Sequence, residues 1–209
     1  MSNKKTKFKI AGLPKAQGLY NPLNEHDACG VGMVLDIKNR ASFDIVEKGL
    51  AMLCNLEHRG AVGADPKAGD GSGLLIQIPH KFLQKKVSKN FSLPKPGNYA
   101  VGVMFIPDNS NDDKKIKKLV EDVCKKEGFN ILGWRLCPTY TKELGWSVLP
   151  STPIVYQLFI ERPDTEKSQD NFERKLYILR RCIEKAVLEI SDEIKEGFYI
   201  PSFSSRTIL

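Results

Sequence analysis

The stretch CGVGMVLDI at residues 29–37 is the first apolar run of the chain, and it predicts a buried strand that opens the domain. Its two glycines, Gly30 and Gly32, mark places where a second backbone or a ligand can come close. The residues before it show no regular apolar spacing, and glycines and prolines interrupt them throughout. We therefore expect residues 1–28 to be a leader or a surface-wrapping extension, and residues 29–209 to be one domain.

Strands and helices alternate in blocks along the rest of the chain. The predicted strands cover residues 74–78, 99–106, 131–136, 153–161, 198–203 and 206–209, the last two as a hydrogen-bonded pair. The predicted helices cover residues 42–55, 111–127 and 170–193. This alternation predicts a layered α/β or α+β domain with helices on the faces of sheets.

Apolar residues at steps of three or four define the buried faces of these helices. The predicted buried residues are Val46, Leu50 and Leu53 in the first helix; Ile116, Leu119, Val120, Val123 and Cys124 in the second; and Phe172, Leu176, Leu179, Ile183, Val187 and Ile190 in the third.

The composition excludes several classes of protein. None of the 209 residues belongs to a run near the roughly 18 apolar residues of a membrane span. The five cysteines are scattered and none are at C-x-x-C spacing, which argues against a disulfide framework, a zinc knuckle and an oxidising compartment. We expect a cytoplasmic protein that binds neither a metal nor a membrane.

The formal net charge of +7 comes mostly from lysine runs, as at Lys85, Lys86 and Lys89. Because these runs lack interleaved aromatic residues and arginine forks, we expect solvated faces and no nucleic-acid partner. A basic nucleic-acid-binding domain stays as an alternative, which a steep salt dependence of binding would support.

Cys29 is the strongest candidate for a reactive residue. A lone cysteine usually belongs to the core, but this one follows a structureless leader and opens a predicted strand. If the leader were removed, Cys29 would become the first residue and carry its own base. The free α-amine has a pKa of about 7.7–8.0, which suits proton transfer near neutral pH.

Five sequence blocks then carry a family resemblance. They are EHDACGVG at residues 25–32, LEHRGA at 56–61, GADP at 63–66, GDGSG at 69–73 and SSRT at 204–207. Together they resemble the N-terminus of the glutamate synthase large subunit, which is a class II glutamine amidotransferase domain. The resemblance covers essentially the whole chain.

The resemblance implies a fold and a reaction. The fold is α+β: a four-layer α/β/β/α sandwich of the N-terminal-nucleophile hydrolase type, which we expect to be incomplete at its C-terminus here. Residues 1–28 match a propeptide, and residues 29–209 match the first part of the amidotransferase domain. Cys29 matches the catalytic cysteine, whose thiolate attacks the glutamine amide and releases ammonia for glutamate synthesis from 2-oxoglutarate.

Four further positions are candidates for the pocket: Arg59, Gly60, Asp70 and Gly71. Arg59 matches an arginine-glycine pair close to the nucleophile, and it either lowers the thiol pKa, fixes the loop or is structural. Asp70 is either a pocket residue or a turn former. The glycine-rich loop matches neither a Walker A motif nor a dinucleotide fingerprint, so we expect it to shape a pocket rather than bind phosphate.

Three further polar residues have a structural or surface interpretation as well as a functional one. His58 could serve as a base, but the α-amine already fills that role, so we expect a structural histidine. His26 and Asp27 would leave with the leader, and they either assist its cleavage or are ordinary surface residues.

The resemblance also implies cofactors and partners. We expect no cofactor on this segment, whereas the parent enzyme implies FMN, an iron–sulfur cluster and a reduced nicotinamide or ferredoxin donor. The expected partners are glutamine, the remainder of the glutamate synthase large subunit and a small subunit.

Two other functions stay open. The family's oxyanion hole comes from an Asn-Gly pair, and the sequence contains no such dipeptide. Loss of an oxyanion donor costs about 10²–10³ in rate, so we expect this segment to be inactive in isolation. The alternatives are a truncated, non-catalytic chain that acts by binding, and another class II amidotransferase.

Overall fold

The computed structural model describes residues 17–18, 30–56, 64–69, 71–108, 110–190 and 197–209. The helices in these residues are α1 (Phe43–Asn55), α2 (His80–Val87), α3 (Ser110–Lys126) and α4 (Gln169–Leu188). The strands are β1 (Ile76–Gln77), β2 (Tyr99–Ile106), β3 (Ile131–Leu136), β4 (Ile154–Glu161), β5 (Tyr199–Ser204) and β6 (Thr207–Ile208).

A four-stranded antiparallel sheet in the order β3-β4-β2-β5 forms the framework. Its central strands β2 and β4 are paired from Tyr99 opposite Glu161 to Ile106 opposite Ile154. Both strands are nearly continuous apolar runs, and they are buried along most of their length. Such runs are expected of a strand that is covered on both faces. The predicted strands at 99–106, 131–136 and 153–161 are confirmed within one residue.

Helices α3 and α4 cover one face of this sheet. Ile116, Val120 and Cys124 of α3 are buried there, as their spacing predicts. The predicted stripe of α4 is buried from Phe172 to Val187. The Ser168 hydroxyl accepts a hydrogen bond from the Asn171 amide and caps the start of α4.

The opposite face of the sheet is covered by α2 and by a two-stranded sheet of β1 and β6. Leu83 and Val87 of α2, together with Ile208 of β6, share one apolar cluster with Val101 and Val103 of β2. Helices therefore lie on both sides of antiparallel strands, which confirms the α+β class of the predicted layered domain.

Helix α2 was not predicted from the sequence. Its lysines, Lys85 and Lys86, belong to a charged run that was interpreted only as a solvated face. Leu83 and Val87, four residues apart, are both fully buried on its other side. Pro79 stands at the N-cap position, where its missing N–H costs nothing. The signal for α2 in the sequence was Pro79 followed by two apolar residues four positions apart, Leu83 and Val87.

The prediction of a buried strand at residues 29–37 is wrong for its described part. Residues 30–37 form no strand ladder with any described residue, and Val31 and Ile37 are 93% and 95% exposed. The apolar composition suggested that both faces of this segment are covered. In the structure, Gly30 and Gly32 lie against Leu56 and Met52 at the C-terminal end of α1, and no described strand lies beside the segment to accept its backbone hydrogen bonds.

The ends of two predicted helix faces also differ from the structure. Leu50 of α1 is half exposed, and the buried position there is Gly49. Helix α4 ends at Leu188, before the predicted residue 193, and Ile190 is partly exposed. The Ile190 amide bonds the Val187 carbonyl, a contact over three residues that tightens the last turn and ends the helix.

The predicted pairing of the last two strands is also wrong. β5 pairs with β2 in the large sheet, whereas β6 pairs with β1 in the small one. The Ser204 hydroxyl accepts hydrogen bonds from the amides of Arg206 and Thr207, at 2.9 and 3.3 Å. These bonds turn the chain from one sheet to the other, so consecutive strands do not pair with each other.

Ile183 and Ile178 of α4 provide a matched test of this core. Ile183 is completely buried against the sheet, whereas Ile178 is 54% exposed on the same helix. We expect Ile183→Ala to lower the free energy of unfolding by about 2–5 kcal/mol, because it leaves a cavity. Ile178→Ala should change it by less than about 0.5 kcal/mol. Urea unfolding measures both, and equal midpoints for the two variants would contradict the placement of α4.

Candidate active site

Helix α1 brings three of the sequence blocks together. A Cβ atom added to Gly30 would lie 3.0 Å from Leu56 Cδ2, at the end of the helix. One added to Gly49 would lie 2.8 Å from Leu74 Cδ1, directly after the glycine-rich loop. The segment that follows Cys29 and the segment that follows Gly73 therefore lie against α1 or its cap residue Leu56, from which the chain continues toward Arg59.

The contact of Gly30 with Leu56 bears on the proposed nucleophile. Gly30 is the residue after Cys29, and Leu56 lies three residues before Arg59. The contact therefore joins two described positions that are close in sequence to these two site candidates. Gly32 continues the approach, since a Cβ atom there would lie 2.9 Å from Met52 Cε.

Most of the predicted site residues lie outside the described part of the chain. These are Cys29, Arg59, Gly60 and Asp70, together with His26, Asp27 and His58. Gly71 is described; it is exposed, and a Cβ atom added to it would meet nothing within 4 Å. The position of Gly71 therefore leaves open space beside the end of the glycine-rich loop.

A buried carboxylate in the glycine-rich loop was missed by the sequence analysis. Asp65 is only 5% exposed. Its Oδ2 accepts hydrogen bonds from the backbone amide and the hydroxyl of Ser147, both at 2.9 Å. Its Oδ1 accepts one from the Lys67 amide at 3.1 Å. The signal in the sequence was an aspartate before Pro66, a typical turn former, but nothing local pointed to Ser147.

These hydrogen bonds also determine the charge of Asp65. The bond from the Ser147 amide, more than any other contact, holds the pKa of Asp65 below its usual 3.8, and partial desolvation opposes it. The carboxylate is thus ionised at neutral pH, and its bonds to Ser147 are charge-assisted and stronger than neutral ones.

The SSRT block is held against the start of α4. The Ser204 hydroxyl donates to Glu173 Oε2 at 2.9 Å, and the Ser205 amide donates to Glu173 Oε1 at 2.8 Å. The Arg206 guanidinium pairs with Asp170 on the same helix. The carboxylate of Glu173 therefore satisfies donors at the point where the chain passes between the two sheets.

A cleft of about 520 Å³ opens beside this turn. Its lining includes Gln77, Tyr99, Ser205, Arg206 and Thr207. The Tyr99 hydroxyl lies 3.0 Å from His80 Nδ1, so its hydrogen bond is already formed within the protein. Gly71, the one described candidate of the predicted pocket, does not line this cleft.

The described cysteines are free, and two of them are poor nucleophiles. Burial raises the pKa of the Cys124 thiol to about 12, and burial also raises the pKa of Cys137. Because the thiolate is the reactive form, neither side chain is suited to attack a substrate near neutral pH. Cys54 is exposed on α1 and serves below as a control for thiol reagents.

Across the described residues, no three His, Cys, Asp or Glu side chains are grouped so that they could hold a metal ion. None of the helices in the described part of the chain has both the length and the apolar content that a membrane crossing needs.

Comparison with known proteins gives consistent matches. A family model described as glutamine amidotransferases class-II matches residues 29–209. The large chain of the NADPH glutamate synthase of Bacillus subtilis is 44% identical over 198 residues, covering 94% of this chain and 13% of the relative. The chloroplastic ferredoxin-dependent glutamate synthase of Oryza sativa is 39% identical over 198 residues, covering 93% and 12%. The chain spans about an eighth of the length of these two relatives.

Asp65→Asn tests the charge of the buried carboxylate. Since the folded-state pKa of Asp65 lies below 3.8, its ionised form stabilises the fold above that pH, and the gain is lost as the pH falls through the folded-state value. We expect the wild type to unfold at a higher urea concentration than the variant near neutral pH. That difference should shrink as the pH falls below 3.8. An identical pH dependence for both proteins would contradict an ionised Asp65.

Proposed function

The chain belongs to the class-II glutamine amidotransferase family, and we propose that Cys29 is the nucleophile with which it hydrolyses glutamine. The fold is that of the family's N-terminal-nucleophile hydrolases, of which the described residues form the large sheet, the helices on its two faces and part of a second sheet. One observation carries the assignment. The family match begins at Cys29, and the next residue, Gly30, packs against the segment that leads into Arg59.

The proposed reaction needs a base, a nucleophile and an acid. Removal of residues 1–28 would free the α-amine of Cys29, which takes the thiol proton. The sulfur attacks the carboxamide carbon of glutamine, the carbon–nitrogen bond breaks, and the nitrogen takes the proton from the α-ammonium group and leaves as ammonia. Water then attacks the thioester, the carbon–sulfur bond breaks, and glutamate is released while the sulfur regains its proton.

The other candidate residues have supporting roles in this proposal. Arg59 stabilises the thiolate or fixes the loop beside it, since a neighbouring guanidinium lowers a thiol pKa. Gly60 and Gly71 allow the backbone to approach the substrate, and Asp70 contacts the substrate or holds the turn. Leu56 caps the end of α1 and Leu74 packs against Gly49 of α1, so both ends of this loop lie along that helix.

The relatives extend the proposal to the destination of the ammonia. Relatives named glutamate synthases at 39–44% identity support transfer to 2-oxoglutarate rather than to the acceptor of another class II amidotransferase. We place FMN, the iron–sulfur cluster and the electron donor outside residues 29–209. The proposed partners are glutamine, the remainder of a glutamate synthase large subunit and a small subunit. The free described cysteines support a reducing, cytoplasmic compartment.

The identity of the nucleophile is tested by labelling with an electrophilic glutamine analogue such as a diazoketone. In the protein as its own cells make it, we expect one label on Cys29, blocked by excess glutamine. Cys29→Ala should lower glutaminase activity by about 10³-fold or more, as removal of other enzyme nucleophiles does. The matched control is Cys54→Ala, which removes an exposed thiol from α1 and should retain full activity.

Two outcomes would overturn this assignment. Glutaminase activity that survives in Cys29→Ala would exclude Cys29 as the nucleophile. An unlabelled Cys29 in the wild-type protein would instead favour a chain that acts by binding.

Removal of the leader is tested by the mass of the N-terminal peptide. We expect the active protein purified from its own cells to begin at Cys29, because only then does the nucleophile carry a free α-amine. An active protein that still carries Met1 or Ser2 would show that the α-amine of Cys29 is not the base.

A further inference from the structure

We propose that Asp65 is a positioning residue that fixes the glycine-rich loop of the glutamine site by fastening its middle to the β3–β4 connection. The inference rests on the proposed function, because it concerns the loop that carries Arg59 and Asp70. Asp65 lies between them, six residues after Arg59 and five before Asp70. Its hydrogen bonds to Ser147 are the observation that identifies it.

The first argument is the burial of the carboxylate. Asp65 is 5% exposed, and a buried carboxylate is strongly unfavourable unless donors surround it. Three donors are present: the Ser147 amide, the Ser147 hydroxyl and the Lys67 amide. Two of these come from a segment 82 residues away in the sequence. The carboxylate therefore links two segments that are far apart in the sequence, and only its bond from the Lys67 amide is local.

The second argument is the absence of a side chain at Gly145. A Cβ atom there would lie 2.6 Å from Asp65 Cγ, which real atoms do not tolerate. The carboxylate thus lies directly on the backbone of the β3–β4 connection. Both Gly145 and Ser147 are needed for this arrangement, one for space and one for donors. Two independent features of the same segment therefore fit one side chain of the loop.

The third argument is that the other end of the fastening forms a turn of its own. The Gly145 carbonyl accepts hydrogen bonds from the amides of Val148 at 3.2 Å and Leu149 at 3.1 Å. These bonds close a turn around Ser147, and the connection that contains the turn joins two paired strands of the large sheet. Asp65 is thereby linked to a segment that the large sheet holds at both ends.

The fourth argument concerns the length of chain that would otherwise be free. The loop leaves α1 after Asn55 and returns to it at Leu74. Without a bond in the middle, 18 residues would connect these two points. With Asp65 fixed, that span is divided into two shorter ones of nine and eight residues. Fixing the centre of a loop in advance reduces the ordering that substrate binding requires.

The experiment compares three variants of the protein as its own cells make it: Asp65→Asn, Ser147→Ala and Ser151→Ala. The readouts are kcat and KM for glutamine, and the rates at which Cys29 reacts with the glutamine diazoketone and with iodoacetamide. Iodoacetamide needs only a reactive thiol, whereas the diazoketone also needs an ordered glutamine pocket. The ratio of the two rates therefore separates positioning from general loss of structure.

We expect Asp65→Asn to lower kcat/KM and the diazoketone rate by about tenfold or more, mainly through KM, with the iodoacetamide rate within about twofold of wild type. Ser147→Ala should act in the same direction but less, because the Ser147 amide still donates. Ser151→Ala is the matched control, since it removes a hydroxyl bond of similar length that is local to the same connection. It should leave every rate unchanged.

The inference is overturned if Asp65→Asn and Ser147→Ala keep the wild-type kcat/KM, or if they change both labelling rates equally. Should Asp65→Asn fail to fold, Ser147→Ala alone decides, because it keeps the carboxylate and one of its long-range donors. A failure of the proposed function is distinguishable from these outcomes: in that case the wild-type protein itself is not labelled at Cys29 by the diazoketone.

Discussion

The pairing of β2 with β4 is the constraint on which the rest of the described structure depends. The pairing runs without interruption over eight positions in each strand. Even-numbered residues of β2, such as Met104 and Ile106, belong to the cluster under α3 and α4, and odd-numbered ones, such as Val101, to the cluster under α2. Because side chains alternate between faces, a slip of one residue would exchange the two clusters. One register therefore places both helix layers at once.

The features predicted correctly from the sequence are those whose signal is local. The apolar run of β4 and the three-and-four spacing from Phe172 to Val187 each need only a dozen or so residues to be recognised. The run at 29–37 misled for the same reason: its composition suits a buried strand, but burial depends on neighbours that the described chain does not provide. The pairing of β6 with β1 likewise depends on Ser204, whose role as a hydrogen-bond acceptor is not visible in any periodicity.

The candidate site likewise has residues that were identified from the sequence and one that was not. Cys29 was singled out by its position after the leader, whereas its role and the choice of Arg59 and the glycine blocks came from resemblance to a family, because the chemistry of a lone cysteine is not evident from its type. Asp65 was missed, although it lies within one of those blocks. Its partner Ser147 is in a different part of the sequence, and no pattern in the chain connects them. Resemblance thus identifies which segments matter, whereas only the structure shows what holds them.

Different forces hold the helices on the sheet and the middle of the site loop in place, and each force suits its role. The helices are held on the sheet by apolar burial, which is non-directional and tolerates small shifts of one layer on another. The middle of the site loop is held by hydrogen bonds of Asp65 to Ser147, which weaken steeply when the angle or distance changes. A loop that must present side chains to a reacting carbon needs the second kind of restraint. A buried carboxylate provides it, because its negative charge strengthens each bond and its burial makes every alternative position costly.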